Sequence, residues 1–127
     1  MRAPADSRVL VVDDDESVRL AVMLMVDELG VGVDGVADGR EAIEVLRLAP
    51  YALVFMDVKM PVCDGITATR AIRTTFPADR QPVIVGLTGW ATEATRVVAL
   101  AAGMDACVFK PVAVETVHAV LRPWLRP

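Results

Sequence analysis

Residues 51–61, YALVFMDVKMP, decide how the rest of the chain is read. The run is apolar from Tyr51 to Met56 and stops on one carboxylate, Asp57. Lys59 and Pro61 follow, so it cannot continue as a central strand. An unbroken apolar run of this length reads as a strand buried on both faces, as in a parallel sheet. An acid at the carboxyl end of such a strand stands where open α/β sheets bind ligands. An Asp there suits a turn or a helix cap equally well, so this stretch alone leaves both roles open.

The 127 residues suffice for one domain with a sizeable core, and a 54% hydrophobic composition excludes a disordered tail. No apolar run approaches the roughly 20 residues of a membrane span. The start, MRAPADSRVL, has no apolar signal-peptide core, so a cytoplasmic protein is expected. A net charge of −4 argues against nucleic-acid binding. Cys63 and Cys107 lack metal-ligand spacing and are expected to be reduced packing thiols.

Working outward, Arg8–Val12 is an apolar run that ends in Asp13, Asp14, Asp15 and Glu16. Ser17–Leu29 has helical spacing, with Gly30 placed to close it. Val31–Val36 is a weak, Val-rich strand, and Gly39–Ala49 a helix stopped by Pro50. After the central run, Ile66–Phe76 reads as a helix, Pro82–Leu87 as a strand and Thr92–Ala102 as a helix closed by Gly103. Met104–Phe109 is a fifth strand and Ala113–Trp124 a last helix. Five strand–helix units with short connections imply an α/β fold: a doubly wound, five-stranded parallel sheet with five helices on its two faces, connected right-handedly.

The strand ends differ in a way that topology explains. The first ends in Asp13 and Asp14, the third in Asp57, the fourth in Thr88 and Gly89, and the fifth in Lys110 and Pro111. The second ends in nothing comparable. In a sheet of order 2-1-3-4-5 the second strand is the outer edge, so the four decorated ends adjoin. Three acids in one cleft repel by roughly 1 to 4 kcal/mol per pair at ~4 Å, and need a cation or shifted pKa values. Hard oxygen ligands suit Mg2+, which completes its shell with phosphate oxygens. A lysine and a hydroxyl are natural partners for the remaining phosphoryl oxygens. The site reads as one for phosphoryl transfer, with Asp57 able to form an aspartyl phosphate.

These residues resemble the response-regulator receiver domain, the flavodoxin-like phosphoacceptor of two-component signalling. The matching pieces are VLVVDDDE, FMDVKMPVCDG, VGLTG and VFKP, in the family's order and over about the whole chain, 1–127. MDVKMPVCDGITATRAIR with AAGMDACVFKP looks especially like receivers of hybrid histidine kinases. The resemblance implies Asp57 as the phosphorylated residue. It implies Mg2+ bound by Asp14, Asp57 and the backbone carbonyl of Lys59, with Asp13 helping through water. It implies Thr88 as the switch hydroxyl and Lys110 as the phosphoryl-binding lysine, with a cis bond before Pro111. It also implies a phosphodonor that presents histidine, either a histidine kinase or a histidine phosphotransfer domain, and a chain that catalyses only its own phosphorylation and dephosphorylation. One position departs from the pattern: Cys107 stands where the family has an aromatic switch residue. Trp90 either substitutes for it or packs on the adjacent helix.

The first helix is more apolar than a half-buried helix requires. Val18, Val22, Met25, Val26 and Leu29 form a core stripe, which leaves Leu20, Met23 and Leu24 outward beside Arg19 and Asp27. Such a face next to the acidic cleft suits docking of the donor's helix. His118, the one histidine, is read as a surface or packing residue, and Arg70 and Arg73 as a solvated face. Two rivals remain. The Asp13–Asp15 pair followed by Thr88 and Lys110 looks like the haloacid-dehalogenase phosphatases, but these need an acidic pair after the lysine, where only Glu115 stands. A flavodoxin-like cofactor binder wants Gly, Ser or Thr after the first strand, where this chain has acids.

Overall fold

The computed structural model describes residues 8–59, 64–89 and 92–125. Five strands, β1 (Val9–Val12), β2 (Val33–Val36), β3 (Leu53–Asp57), β4 (Val83–Thr88) and β5 (Ala106–Phe109), alternate with α1 (Glu16–Asp27), α2 (Gly39–Leu48), α3 (Gly65–Thr75), α4 (Glu93–Ala102) and α5 (Val114–Leu125). A 3-10 turn at Ala78–Arg80 precedes β4 and was not legible in the sequence. All pairings are parallel and the order is β2-β1-β3-β4-β5, as the alternation implied. Element ends fall within about two residues of those expected. β2 and β5 are the shortened ones: Val31 and Met104 are buried but lie outside the ladders.

The strands are apolar on both faces because both faces are covered. Leu10, Val12, Val54, Met56 and Ile84 pack with Ala42 and Leu46 of α2, Ala68 and Ile72 of α3, and Ala99 of α4. The alternate residues Val9, Val11, Leu53, Phe55, Val85 and Leu87 pack with Val22 and Val26 of α1 and Val117 and Leu121 of α5. Leu53 and Phe55 are fully buried and each contributes roughly 2–3 kcal/mol. That anchoring holds the end of β3 rigidly, including a carboxylate whose burial is itself unfavourable.

Side-chain caps start four of the helices at the carboxyl rim of the sheet. Asp15 accepts from the amides of Ser17 and Val18, Asp64 from Thr67, and Thr92 from Thr95. Asp38 accepts from Glu41, whose carboxylate accepts in turn from the Ala37 amide at 3.3 Å, a reciprocal capping arrangement. The acid after β2 is therefore used locally, which is why that strand end contributes nothing to the cleft. Gly65 opens α3 in contact with the carbonyl of Asp57, with its amide donating to Val58 O at 3.0 Å. A β-carbon there would run into backbone, so only glycine lets α3 start so close to β3.

Two expectations need correction. Met23 is half-buried, packed with the α1–α5 side of the core and in contact range of Gly35, so it does not point outward. Leu20 and Leu24 do, at 49% and 67% exposure. Arg73 is no solvated residue: its guanidinium donates to Gly103 O, Pro82 O, Gln81 Oε1 and Asp105 Oδ2, all at 2.7–2.9 Å. Arg70 is exposed, as read. His118 is a packing residue whose Nε2 lies 3.1 Å from Met25 O near the end of α1.

Candidate functional site

Strand register carries distant residues to one rim. Val12 lies opposite Met56, so Asp13 comes beside Asp57; Asp57 lies opposite Leu87, and Thr88 opposite Phe109, so Lys110 follows directly. The Lys110 amide donates to Thr88 O at 2.8 Å and the Val58 amide to Leu87 O at 2.9 Å, extending the ladder past the strands. Asp13 and Asp57 share the side-chain parity of Val11 and Phe55, and so face the same way. Asp13, Asp14, Asp15, Asp57, Lys59, Thr88, Gly89 and Lys110 line one cleft of about 320 Å3. Every residue named for the site from the sequence is in it.

Asp13, Asp57 and Thr88 are buried, while Asp14 is exposed at the mouth. One carboxylate oxygen from each of Asp13, Asp14 and Asp57 lies within 4.8 Å of the others. The Lys110 ammonium stands 2.9 Å from Asp13 Oδ2 and 3.3 Å from Asp57 Oδ1. The contact to Asp13 is an ion pair without hydrogen-bond alignment, so the fully buried Oδ2 has no hydrogen-bond donor among the described residues. Asp57 Oδ1 also accepts from the Lys59 amide at 3.3 Å.

Burial, and then the charge of Asp13, push the Asp57 carboxyl up to about 7, against the pull of Lys110. Burial draws the Lys110 ammonium down, but its contact with Asp13 and the charges of both aspartates outweigh that, and its pKa is raised. Four carboxylates against the two lysines that line it leave the cleft short of positive charge. The donor set is hard oxygen, one buried oxygen lacks a donor, and the mouth is open to water through Asp14. These residues fit a small divalent cation of the magnesium type.

The Lys110–Pro111 bond is cis. Cys107 is a half-buried free thiol lying opposite Gly86 on β4, and burial raises its pKa. It is inert packing material in this state. Cys63, Pro61 and Trp90 lie outside the described residues, and with them the substitution considered for Trp90. Sequence reasoning overlooked Asp15, which caps α1 and lines the cleft, and Arg19, whose guanidinium donates to Asp13 O at 2.9 Å. The acidic run hides the cap among its neighbours, and an arginine on a helix carries no signal that it turns back toward a strand end.

A doubly wound sheet with an acid cluster, a hydroxyl and a lysine at its carboxyl rim defines a phosphoacceptor of the receiver type. The chain belongs to the response regulator receiver domain family, whose family model matches residues 9–122. It is 38% identical over 119 residues to the response regulator MprA of Mycolicibacterium vanbaalenii, covering 94% of this chain and 50% of that one. It is 31% identical to hybrid signal transduction histidine kinase F of Dictyostelium discoideum, covering 93% of this chain and 11% of the kinase. The chain thus spans half or less of the length of these relatives. Among solved structures, chemotaxis protein CheY4 of Vibrio cholerae superposes with a TM-score of 0.86 at 30% identity, covering 95% of this chain and all of that one. The receiver domain of a sensor histidine kinase from Pseudomonas aeruginosa, determined with a magnesium ion coordinated in its active-site cleft, gives 0.84 at 32% identity, covering 94% and 98%. The phosphatase alternative is not supported: the family is that of receivers, and after Lys110, where it needs an acidic pair, only Glu115 stands, exposed on α5. Among the described residues, no helix is long and apolar enough to cross a membrane.

Proposed function

We propose that residues 1–127 form a single receiver domain that accepts a phosphoryl group from a phosphohistidine onto Asp57 with Mg2+ bound. The observation that carries this reading is the convergence of three carboxylates within 4.8 Å of one another, with the Lys110 ammonium 2.9 and 3.3 Å from two of them. Asp14, Asp57 and the Lys59 carbonyl would hold the cation directly, with Asp13 helping through water, and it would supply the positive charge that lets one anion approach another. An Asp57 carboxylate oxygen forms the new P–O bond as the P–N bond to the donor imidazole breaks, and the imidazole leaves. Lys110 and Thr88 take the phosphoryl oxygens. The chain turns over no separate substrate; hydrolysis of the acyl phosphate by water returns it to its starting state. Thr88 moves toward the phosphoryl group, biasing the face built by β4, β5, α4 and α5 between two pre-existing arrangements. The location that goes with this reading is cytoplasmic.

The donor, a histidine kinase or a histidine phosphotransfer domain, docks along α1. Exposed Leu20 and Leu24 support this, as does a groove of about 220 Å3 between Val18, Ala21 and Met25 of α1 and Lys110, Pro111 and Val112 beyond β5. The groove reaches Lys110, so a helix seated in it brings its histidine to the cleft. Incubation with acetyl phosphate and Mg2+, followed by mass mapping, is expected to place the adduct on Asp57. An adduct on Asp13, or an undiminished adduct in Asp57→Asn, overturns the assignment. Replacing Leu20 and Leu24 with Glu is expected to slow transfer from a phosphohistidine donor at least tenfold while leaving acetyl phosphate labelling intact. An unchanged transfer rate removes the docking face.

A further inference from the structure

Residue 13 is held from four directions, and two of the four, Val36 and Arg19, come from outside the cleft. Its amide donates to Val36 O of β2 at 3.2 Å. Its Oδ1 accepts from the Asp15 amide at 2.9 Å, and its Oδ2 faces Lys110. Its carbonyl accepts from Arg19 Nη1 at 2.9 Å. That carbonyl belongs to the planar peptide unit joining residues 13 and 14, so fixing its oxygen also fixes the amide and α-carbon of Asp14. Asp14 is the exposed acid of the cluster and lacks the ladder bonds that hold Asp57.

Arg19 reaches residue 13 by crossing β2 at Gly35, where the missing side chain leaves room for it. Its side chain is 18% exposed and lies across Gly35. A β-carbon at Gly35 would stand 3.2 Å from Arg19 Cδ, 3.3 Å from Cγ and 2.5 Å from Met23 Sδ. Glu16, 3.8 Å away and exposed, is a weak second partner for the guanidinium. The bond to a buried backbone carbonyl is the stronger constraint, since a charged donor shortens and strengthens it.

We propose that Arg19 is a positioning residue for the cation site, setting the peptide that presents Asp14, and that Gly35 is the bed that admits its side chain. This rests on the proposed reading that the acid cluster binds Mg2+. A guanidinium near three carboxylates also repels a cation, so the two effects have opposite signs and can be separated. Positioning requires that removing Arg19 weaken the metal; simple repulsion requires that removing it strengthen the metal.

The test is calorimetric titration of Mg2+ into the whole unphosphorylated chain, with metal-free urea unfolding alongside. Arg19→Met keeps the stem and removes the donor. It is expected to raise the Mg2+ dissociation constant about tenfold, the range typical of groups behind a metal's ligands. Arg19→Lys returns a cationic donor and is expected to recover most of the loss. Gly35→Ala leaves Arg19 in the sequence and is expected to weaken Mg2+ binding in the same direction, so the comparison survives if Arg19→Met does not fold. Wild-type or tighter Mg2+ affinity in Arg19→Met, or in Gly35→Ala where that variant alone folds, overturns the inference. So does an Arg19→Lys variant as weak as Arg19→Met. A wild-type chain that binds no Mg2+ overturns the metal site itself, and with it this inference, and is told apart by being visible before any substitution is made.

Discussion

Asp57 stands where two requirements conflict. Its position between Phe55 and the cleft demands burial, and its proposed chemistry demands an anion. Without a cation the conflict appears as a carboxyl raised to about 7. An acid whose folded-state pKa exceeds its unfolded value of roughly 3.9 binds more protons when folded, so its contribution to stability falls as pH rises through that interval. Metal-free protein, unfolded by urea at a series of pH values in chelator, is expected to lose stability from about pH 4 to pH 7. Asp57→Asn removes the charge at similar volume. It is expected to flatten that slope and to stabilise the metal-free protein at pH 7 by about 1–3 kcal/mol. A flat profile in the wild-type chain would show that the carboxylate is better compensated than its surroundings imply.

At the scale of elements, the two ends of the sheet are held differently. At the carboxyl rim, α3 begins in contact with the last carbonyl of β3, and Gly65→Ala is expected to cost about 3 kcal/mol because the β-carbon meets backbone that cannot yield. At the other end, Arg73 ties α3 to the close of α4 and to the start of β4 through Gly103, Pro82, Gln81 and Asp105. The described part of α4 buries only Ala99 and Ala102, so this clamp supplies much of what its own packing lacks. Arg73→Ala is expected to lower stability in urea by about 2 kcal/mol while leaving Mg2+ affinity unchanged, since the clamp lies at the opposite end of the sheet. Loss of Mg2+ affinity in that variant would mean that the two ends communicate.

The whole molecule stores repulsion at one rim and offsets it with two apolar layers. A ligand that relieves the repulsion binds the folded state alone and so stabilises it. At a hundredfold excess over its dissociation constant, Mg2+ is expected to add about 2.7 kcal/mol and to raise the melting temperature by roughly 5–10 °C. The gain should shrink in Asp13→Asn. A melting temperature indifferent to millimolar Mg2+ would count against the site as a cation site.

The fold was legible because its signals are local or periodic: apolar runs of strand length, helical stripes, and a polar residue of a different kind at each strand end. From YALVFMDVKMP alone Asp57 could have been a turn residue; the strand order common to this fold class made it the centre of a cluster, and the decorated ends agree with that order. Met23 and Arg73 were misread for one reason. Helical spacing says which residues share a face, but not that β2 is thinned by Gly35 to receive a methionine, or that free carbonyls wait at the ends of neighbouring elements. The amino-acid sequence by itself determined the alternation, the sheet order and the residues of the cleft, because burial and periodicity act over a few residues at a time. Only the tertiary structure decided which side chains reach across it, such as Arg19 to Asp13, Arg73 to Gly103 and His118 to Met25, because those contacts depend on distances between elements that no local pattern encodes.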